Sequence, residues 1–175
     1  MRTIPILITA LVAAGLVPAA NAHLIRADNW IDDFAVKQDG SLRGAIRALG
    51  PPGRVVSTSS ITCRVSWRRL GIAMGFYNLG GADPCRPRYG RFSHAVAHGA
   101  GWHTGRGLRI GDSVSRLRAL YPNARFRSDA QYGAGWWLVT RRTPFGGGGR
   151  YPGLLARIGD HRVKALVVRY PAGGD

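Results

Sequence analysis

Three histidines that lie close together in the sequence, His94, His98 and His103, are the side chains best suited to bind a metal ion. The pattern over residues 92–98 favours a β-strand, and in a strand His94 and His98 lie about 13 Å apart, too far for one ion. On a helix these two histidines would chelate together, but neighbouring glycines such as Gly90 would keep that helix short. We therefore predict no metal site and assign the histidines a structural, partly exposed position.

No pattern of residues indicates nucleophilic or acid-base catalysis. Ser57, Ser59, Ser60 and Ser66 lie in none of the motifs that activate a serine nucleophile. All 9 acidic residues are aspartates, and the absence of glutamate argues against a tuned acid and base pair. The glycine run before Arg150 lacks the Lys-Ser/Thr ending of a phosphate-binding loop. We expect no catalytic residue and no cofactor, and an uncharacterised hydrolase is the least favoured alternative.

Aromatic residues around that glycine run are the best candidates for a binding surface. Trp136, Trp137, Phe145 and Tyr151 flank the run, and Arg150 lies beside them. Large aromatic side chains contribute much of the binding energy in protein interfaces. The alternative is that one tryptophan lies in the core and the other covers it. We take these five residues as the candidate binding site and leave that alternative open.

The composition is strongly basic, with 25 lysine plus arginine residues against 9 acidic ones and a net charge of +16. A charge of that size attracts polyanions such as nucleic acid, anionic wall polymers or phospholipid headgroups. The arginines are nevertheless spread along the chain in runs of no more than two, and only Lys37 and Lys164 are lysines. Coding bias and a merely solvated basic surface explain the same composition, so both interpretations stay open.

Residues 1–22 have the features of a secretory signal peptide. Arg2 is followed by an apolar run over residues 6–17, and the tripeptide Ala-Asn-Ala ending at Ala22 has the small-x-small pattern of a cleavage site. We expect cleavage after Ala22 and a secreted or cell-envelope-associated protein, with an uncleaved signal anchor as the alternative. No second apolar stretch is long enough to span a bilayer.

The chain has two cysteines, Cys63 and Cys85. Export would place them in an oxidising compartment, where an even number of cysteines indicates a disulfide. We therefore predict a bridge between Cys63 and Cys85. Two free thiols in a reducing compartment are the alternative.

Residues 107–122 contain the clearest local pattern in the chain. A strand-like alternation follows Gly107, and Gly111 permits a sharp turn. Asp112 is expected to cap a helix that begins near Ser113 and ends before the proline at position 122. A helix of about eight residues is not stable alone in water, so it must pack on neighbouring strands.

A similar helix is predicted over residues 42–49, where apolar residues recur at helical spacing before a Gly-Pro-Pro-Gly stop. Its last residues match those of the later helix at four of six positions. Strand patterns follow each helix, at residues 61–67, 72–77, 92–98, 136–140, 154–158 and 163–170.

These patterns predict an α+β fold of two tandem units, each a short helix packed on an antiparallel β-sheet. A lead segment covers residues 23–38, the first unit residues 39–102 and the second unit residues 103–175. One continuous domain is the alternative division.

The pattern Gly-x-x-x-Gly-Asp-Ser at Gly107, Gly111, Asp112 and Ser113, followed by a short helix ending in Tyr-Pro and then by strands, resembles the repeat of the β-lactamase inhibitory protein family. It is more distantly similar to small outer-membrane-assembly lipoproteins, although the expected cleavage site carries no cysteine for lipidation. The resemblance implies two tandem helix-plus-sheet copies and a role in binding another protein. No inhibitory residue of that family is carried over to a position in this chain.

The sequence therefore predicts a secreted, non-catalytic binding protein that acts by protein recognition or inhibition, with an unknown extracellular protein as its partner. The alternative is a binder of an anionic cell-envelope polymer or of nucleic acid, acting through the basic surface. We expect the protein to be a monomer.

Overall fold

The computed structural model describes residues 22–143 and 149–170. Within them, strands take up 50% of the residues and helices 12%. In chain order the elements are β1 (His23–Arg26), β2 (Trp30–Ile31), β3 (Phe34–Ala35), α1 (Leu42–Leu49), β4 (Arg54–Ser59), β5 (Thr62–Trp67), a 3-10 turn (Arg68–Leu70), β6 (Ile72–Tyr77), β7 (Arg91–Ala97), β8 (Trp102–Thr104), α2 (Val114–Leu120), β9 (Arg125–Asp129), β10 (Gly133–Arg142), β11 (Arg150–Gly159) and β12 (Arg162–Arg169).

The strands form one large and one small sheet. The large sheet has eight antiparallel strands in the order β4-β5-β6-β7-β12-β11-β10-β9. The small sheet has the order β3-β2-β1-β8, in which β1 runs parallel to β8. The expected lead segment, residues 23–38, therefore supplies three strands, and the expected boundary after residue 102 falls inside β8.

The predicted fold class of two tandem helix-plus-sheet units is wrong. The strands that follow α1 and those that follow α2 do not form separate sheets, because β7 pairs with β12 and joins them into one. Leu166 lies opposite Ala97, and Val168 lies opposite Ala95, in this central pairing. The protein is mostly β-structure with two short helices in the described part of the chain, and its principal element is the continuous large sheet.

Both helices lie at the segments that the apolar spacing indicates, and each is capped by a serine. The Ser41 Oγ accepts a hydrogen bond from the Gly44 amide at 2.9 Å, and the Ser113 Oγ accepts one from the Arg116 amide at 3.2 Å. Asp112 was expected to cap α2, but its carboxylate instead accepts a hydrogen bond from the Arg109 amide at 2.8 Å. A serine at the N-cap serves the same purpose, since it satisfies one free amide of the first turn.

The turn before α2 depends on glycine. Gly107 and Gly111 have φ angles of 82° and 94°, in the left-handed region where a side chain would be strained. Between them Leu108 is fully buried, and the Gly111 amide donates to the carbonyl oxygen of Val163 in β12 at 2.8 Å. The motif therefore ties the start of α2 to the large sheet.

The two helices and the small sheet cover one face of the large sheet. The main hydrophobic core lies between these layers and includes Leu42 of α1, Leu117 of α2, Phe34 of β3 and Leu154 of β11. A separate small cluster on the opposite face contains Trp137, Leu155 and Val167, with Val96 and Tyr132 beside them. None of the helices in the described residues is long and apolar enough to cross a bilayer.

The predicted disulfide is confirmed: Cys63 of β5 is bonded to Cys85 in the segment between β6 and β7. The bridge closes a sequence separation of 22 residues, and Cys63 is fully buried. It holds the long connection after β6 against the core. A disulfide of this kind fits an extracellular protein.

A second link joins the small sheet to the large one. The Arg141 side chain in β10 donates from Nε and Nη2 to the two carboxylate oxygens of Asp28, at 2.7 and 2.6 Å. Asp28 lies in the turn between β1 and β2 and is 3% exposed. A Cβ atom on Gly153 of β11 would collide with the Asp28 carboxylate, so glycine at that position makes the approach possible.

Removal of the disulfide should lower the free energy of unfolding by about 3 kcal/mol, because the unfolded chain regains the entropy of an open loop of this length. The measurement is urea unfolding of wild type and of the double variant Cys63→Ala/Cys85→Ala. Wild type treated with a reducing agent should lose the same amount. Equal stability of oxidised and reduced protein would show that the bridge does not constrain the unfolded chain.

Replacement of Arg141 by glutamine should destabilise the fold by about 2 kcal/mol, because it leaves the buried Asp28 carboxylate without its charged partner. We take a value below that of a fully buried pair because the Arg141 side chain is 43% exposed. The control is Arg142→Gln, which removes the neighbouring exposed charge. Equal thermal unfolding of the two variants would contradict a structural role for the pair.

Candidate functional site: the open face of the large sheet

The candidate site is the face of the large sheet that lies opposite the helices, here called the open face. Alternation along β5 explains how it arises: Cys63, Val65 and Trp67 are buried in the core, while Arg64 between them is exposed on the other side. The side chains of the open face that matter below are Arg54, Arg64, Arg68, Ala73, Gly75, Ser93, His94, Val96, His98, Arg127, Trp137, Leu155, Arg157, Val167 and Arg169.

A cavity of about 360 Å³, here called the central cavity, lies in the middle of this face. Two small residues of β6, Ala73 and Gly75, lie at its floor. A Cβ atom on Gly75 would collide with the imidazole ring of His94, which lies across it. Thr58, Thr62 and Ser93 contribute hydroxyl groups to the lining; Arg64, Arg157 and Arg169 contribute guanidinium groups.

His94 is held in this cavity as a neutral imidazole. The Ser93 Oγ lies 2.8 Å from His94 Nδ1 and 3.3 Å from the carbonyl oxygen of Gly75, to which the hydroxyl donates. Burial, and then the positive charges of Arg169, Arg157 and Arg64, lower the pKa of His94 from 6.5 to about 4. All three arginines therefore act on the same ring.

Arg169 is the most enclosed of these arginines. Its Nη2 donates to the carbonyl oxygen of Tyr132 at 3.4 Å, and its guanidinium carbon lies 5.3 Å from the Tyr132 ring centre. Its Nε is buried and has no hydrogen-bond partner in the described part of the chain. Burial and the charge of Arg157 lower the pKa of Arg169, while Tyr132 and Asp129 act in the opposite direction.

Within the described part of the chain, the arginines of the central cavity form no ion pairs. The salt bridges found among residues 22–143 and 149–170 join His23 to Asp32, Arg47 to Asp39, Arg141 to Asp28 and Lys164 to Asp160. None of them involves Arg64, Arg157 or Arg169, and no carboxylate of the described residues lines the central cavity. The acidic group that acts on Arg169 is Asp129, whose Oδ1 already accepts hydrogen bonds from the Gln131 and Tyr132 amides.

A second concave region adjoins the central cavity toward β4. It has a volume of about 400 Å³ and shares Thr58, Arg64 and Ala73 with its neighbour. Arg54, Arg68 and His98 line it in addition. The basic character of the open face therefore extends from its centre to one edge of the sheet.

Aromatic residues cover the other half of the open face. Trp137 is 5% exposed and packs with Leu155 and Val167. The Arg127 guanidinium carbon lies 4.9 Å from the Trp137 ring centre, and Tyr132 meets that ring edge-on at 6.0 Å. A guanidinium over an indole ring is favourable because the ring face is electronegative.

The aromatic residues proposed from the sequence do not share one surface. Trp136 and Trp137 are adjacent in β10 and point to opposite faces, so Trp136 packs against the main core and meets the exposed Phe126 edge-on. Tyr151 is 6% exposed, and Arg150 is exposed at the start of β11. Phe145 lies outside the described residues. The binding role of these five residues stays a prediction.

Sequence reasoning did not single out the arginines of the central cavity. Arg64, Arg157 and Arg169 come from three strands, and only the order of the sheet brings them together. The alternation in residues 61–67 sets Arg64 apart from the apolar positions and was the available signal for that arginine, whereas residues 154–158 show no alternation that would single out Arg157. Among the described residues, no three histidine, cysteine or acidic side chains converge in a way that could hold a metal ion.

The low pKa of His94 predicts that stability falls as the pH decreases from 6.5 toward 4. In that range the unfolded chain takes up a proton on this residue and the folded protein does not, so protonation favours unfolding. A shift of this size corresponds to about 3 kcal/mol over the whole window. Urea unfolding at several pH values measures this dependence of the free energy of unfolding on pH. We expect a smaller slope against pH in the variant His94→Gln and an unchanged slope in the variant His98→Gln, which alters an exposed histidine. A wild-type slope retained in His94→Gln would contradict the assignment.

Comparisons of the chain with protein families, with curated proteins and with solved structures each gave no match.

Proposed function

We propose that this chain is an exported, non-catalytic binding protein that recognises an acidic protein surface through the open face of its large sheet. The observation that carries the proposal is a surface on which arginines from several strands lie without ion-pair partners in the described residues. Like charges gathered in this way cost stability in the free protein, and an acidic partner would offset that cost.

The composition of the open face favours a protein partner over a featureless polyanion. Its positive groups are arginines, and the aromatic residues Trp137 and Tyr132 lie beside them. Protein interfaces are enriched in arginine and aromatic residues and depleted in lysine. The two lysines, Lys37 and Lys164, line neither of the two cavities of this face.

The size of the face also suits such a partner. Eight strands spaced about 4.8 Å apart give a width of about 34 Å, and strands of about six residues give a length of about 20 Å. The product, about 700 Å², is close to the roughly 800 Å² that one partner contributes to a standard interface.

Export is supported by the disulfide between Cys63 and Cys85 and by the signal-like sequence of residues 1–22, of which only Ala22 lies within the described residues. Residues 107–122 resemble the repeat of the β-lactamase inhibitory protein family, and on that resemblance the proposed protein partner would be an enzyme.

The second candidate function is binding of an anionic cell-envelope polymer or nucleic acid. It is favoured by the net charge of +16, because positive charge is not confined to the open face. Arg116 and Arg118, for example, are exposed on α2 at the covered side of the sheet. A polymer would wrap around such a protein and would use both sides.

Charge reversal on each side separates the two candidates. The variant Arg54→Glu/Arg127→Glu changes the open face outside the central cavity, and Arg116→Glu/Arg118→Glu changes the same number of charges on α2. With an acidic protein captured from the extracellular fraction and then purified, we expect the open-face variant to lose on the order of a hundredfold in affinity and the α2 variant to keep most of it. The measurement is surface plasmon resonance at several salt concentrations.

Other results would overturn the protein-partner proposal. Equal losses in both variants, together with a steep linear fall of log affinity with log salt for any anionic polymer, would assign the function to the basic surface as a whole. Unchanged affinity of the open-face variant for a captured protein would place the interface elsewhere.

A further inference from the structure

The central cavity is a half-open depression in the open face of the sheet. Ala73 lies at its floor, the His94 ring lies over Gly75, and the neighbouring strands carry the longer side chains of its rim. Its volume of about 360 Å³ lies within the range of pockets that bind small molecules.

Positively charged donors reach this pocket from several directions. Arg64 comes from β5, Arg157 from β11 and Arg169 from β12, and all three line the same cavity. The buried Nε of Arg169 has no hydrogen-bond partner among the described residues, but it is too enclosed by protein atoms to contact a group in the cavity. None of the three guanidinium groups has a carboxylate partner among the salt bridges of the described residues, so an oxyanion in the cavity would supply the missing opposite charge.

The remaining lining is suited to an uncharged, partly polar group. The hydroxyls of Thr58, Thr62 and Ser93 already hydrogen-bond within the protein, so what they offer a ligand is their remaining acceptor lone pairs. Val96 and Ala73 provide apolar contact. One inorganic anion would leave most of this lining without a contact. A ligand with a charged head and a small hydroxylated body would use both parts.

We propose that the central cavity binds a small phosphate monoester, with Arg64, Arg157 and Arg169 holding the phosphoryl group and the hydroxyl-bearing residues contacting the rest of the ligand. A phosphoryl group carries close to two negative charges at neutral pH and three acceptor oxygens. Guanidinium groups bind such oxygens in pairs, so three arginines suit this group better than a carboxylate with two oxygens and one charge.

This site does not depend on the protein partner proposed above. The ligand would occupy the pocket in the isolated protein, and the arginines that hold it differ from Arg54 and Arg127. A protein partner would be lost on changes at Arg54 and Arg127 while the small ligand is retained. The two proposals therefore succeed or fail separately.

Isothermal titration calorimetry of the wild-type protein tests the site with glycerol 1-phosphate, inorganic phosphate and glycerol as probes. We expect saturable binding of glycerol 1-phosphate, weaker binding of inorganic phosphate and no binding of glycerol. Tighter binding of inorganic phosphate than of the ester would overturn the monoester and indicate a site for the free ion. No saturable heat with either phosphate up to millimolar concentration would overturn the proposal.

Two exposed arginines provide variants that leave the core unchanged. Arg64→Gln and Arg157→Gln should each weaken binding of glycerol 1-phosphate on the order of tenfold, because each removes one charge-assisted contact to the phosphoryl group. The matched control is Arg118→Gln, which removes one exposed charge from α2 on the covered side. An equal loss in the control would mean that only the net charge matters and would overturn the site.

The ring of His94 gives an independent readout. A phosphoryl dianion beside Arg64, Arg157 and Arg169 offsets the positive charges that act on His94, so the pKa of His94 should rise from about 4 when glycerol 1-phosphate is bound. Nuclear magnetic resonance titration of the histidine ring signals measures this shift. Binding without any change in the His94 signals would place the ligand elsewhere and would overturn the assignment to the central cavity.

Discussion

The pairing of β7 with β12 is the contact on which the rest of the structure depends. It joins strands that follow α1 to strands that follow α2, and it buries Ala95 and Ala97 against Leu166 and Val168. Without this pairing the chain would have two four-stranded halves with four edges. With it, both helices pack on the same continuous face, and the residues of the central cavity come together from both halves.

Local patterns predicted the elements better than they predicted the architecture. The alternation over residues 61–67 and the helical spacing over residues 42–49 describe interactions between near neighbours, and both elements lie close to the expected positions. The disulfide followed from the number of cysteines together with the signal-like N-terminal sequence. The union of the strands into one sheet depends on pairing between residues about seventy apart, such as Ala97 and Leu166, which no local pattern contains.

The parts of the fold that the sequence did not indicate have weak patterns for identifiable reasons. Strands β2 and β3 have two residues each, too few to show any period. Strands β4 and β9 lie at the edges of the large sheet and are mostly exposed, so they lack an apolar alternation. The candidate site was not predicted for a similar reason. Its arginines are isolated in the sequence and lie on separate strands, and only the order of those strands brings them together. The adjacent tryptophans were both assigned to the candidate binding site, with one of them in the core as the alternative; they point to opposite faces because neighbours in a strand do so.

The ion pair between Asp28 and Arg141 joins parts of the chain that are far apart in the sequence. Its two residues are separated by 113 positions, and β1 must pair with β8 as well before the small sheet is complete. Contacts between residues so far apart form slowly, because a long loop has to be closed first. The contacts that fix residues 23–38 in the fold therefore need the chain as far as Thr104 for the strand pairing and as far as Arg141 for the ion pair. Anchoring of the small sheet on the large one is in this sense a long-range event that spans most of the described chain.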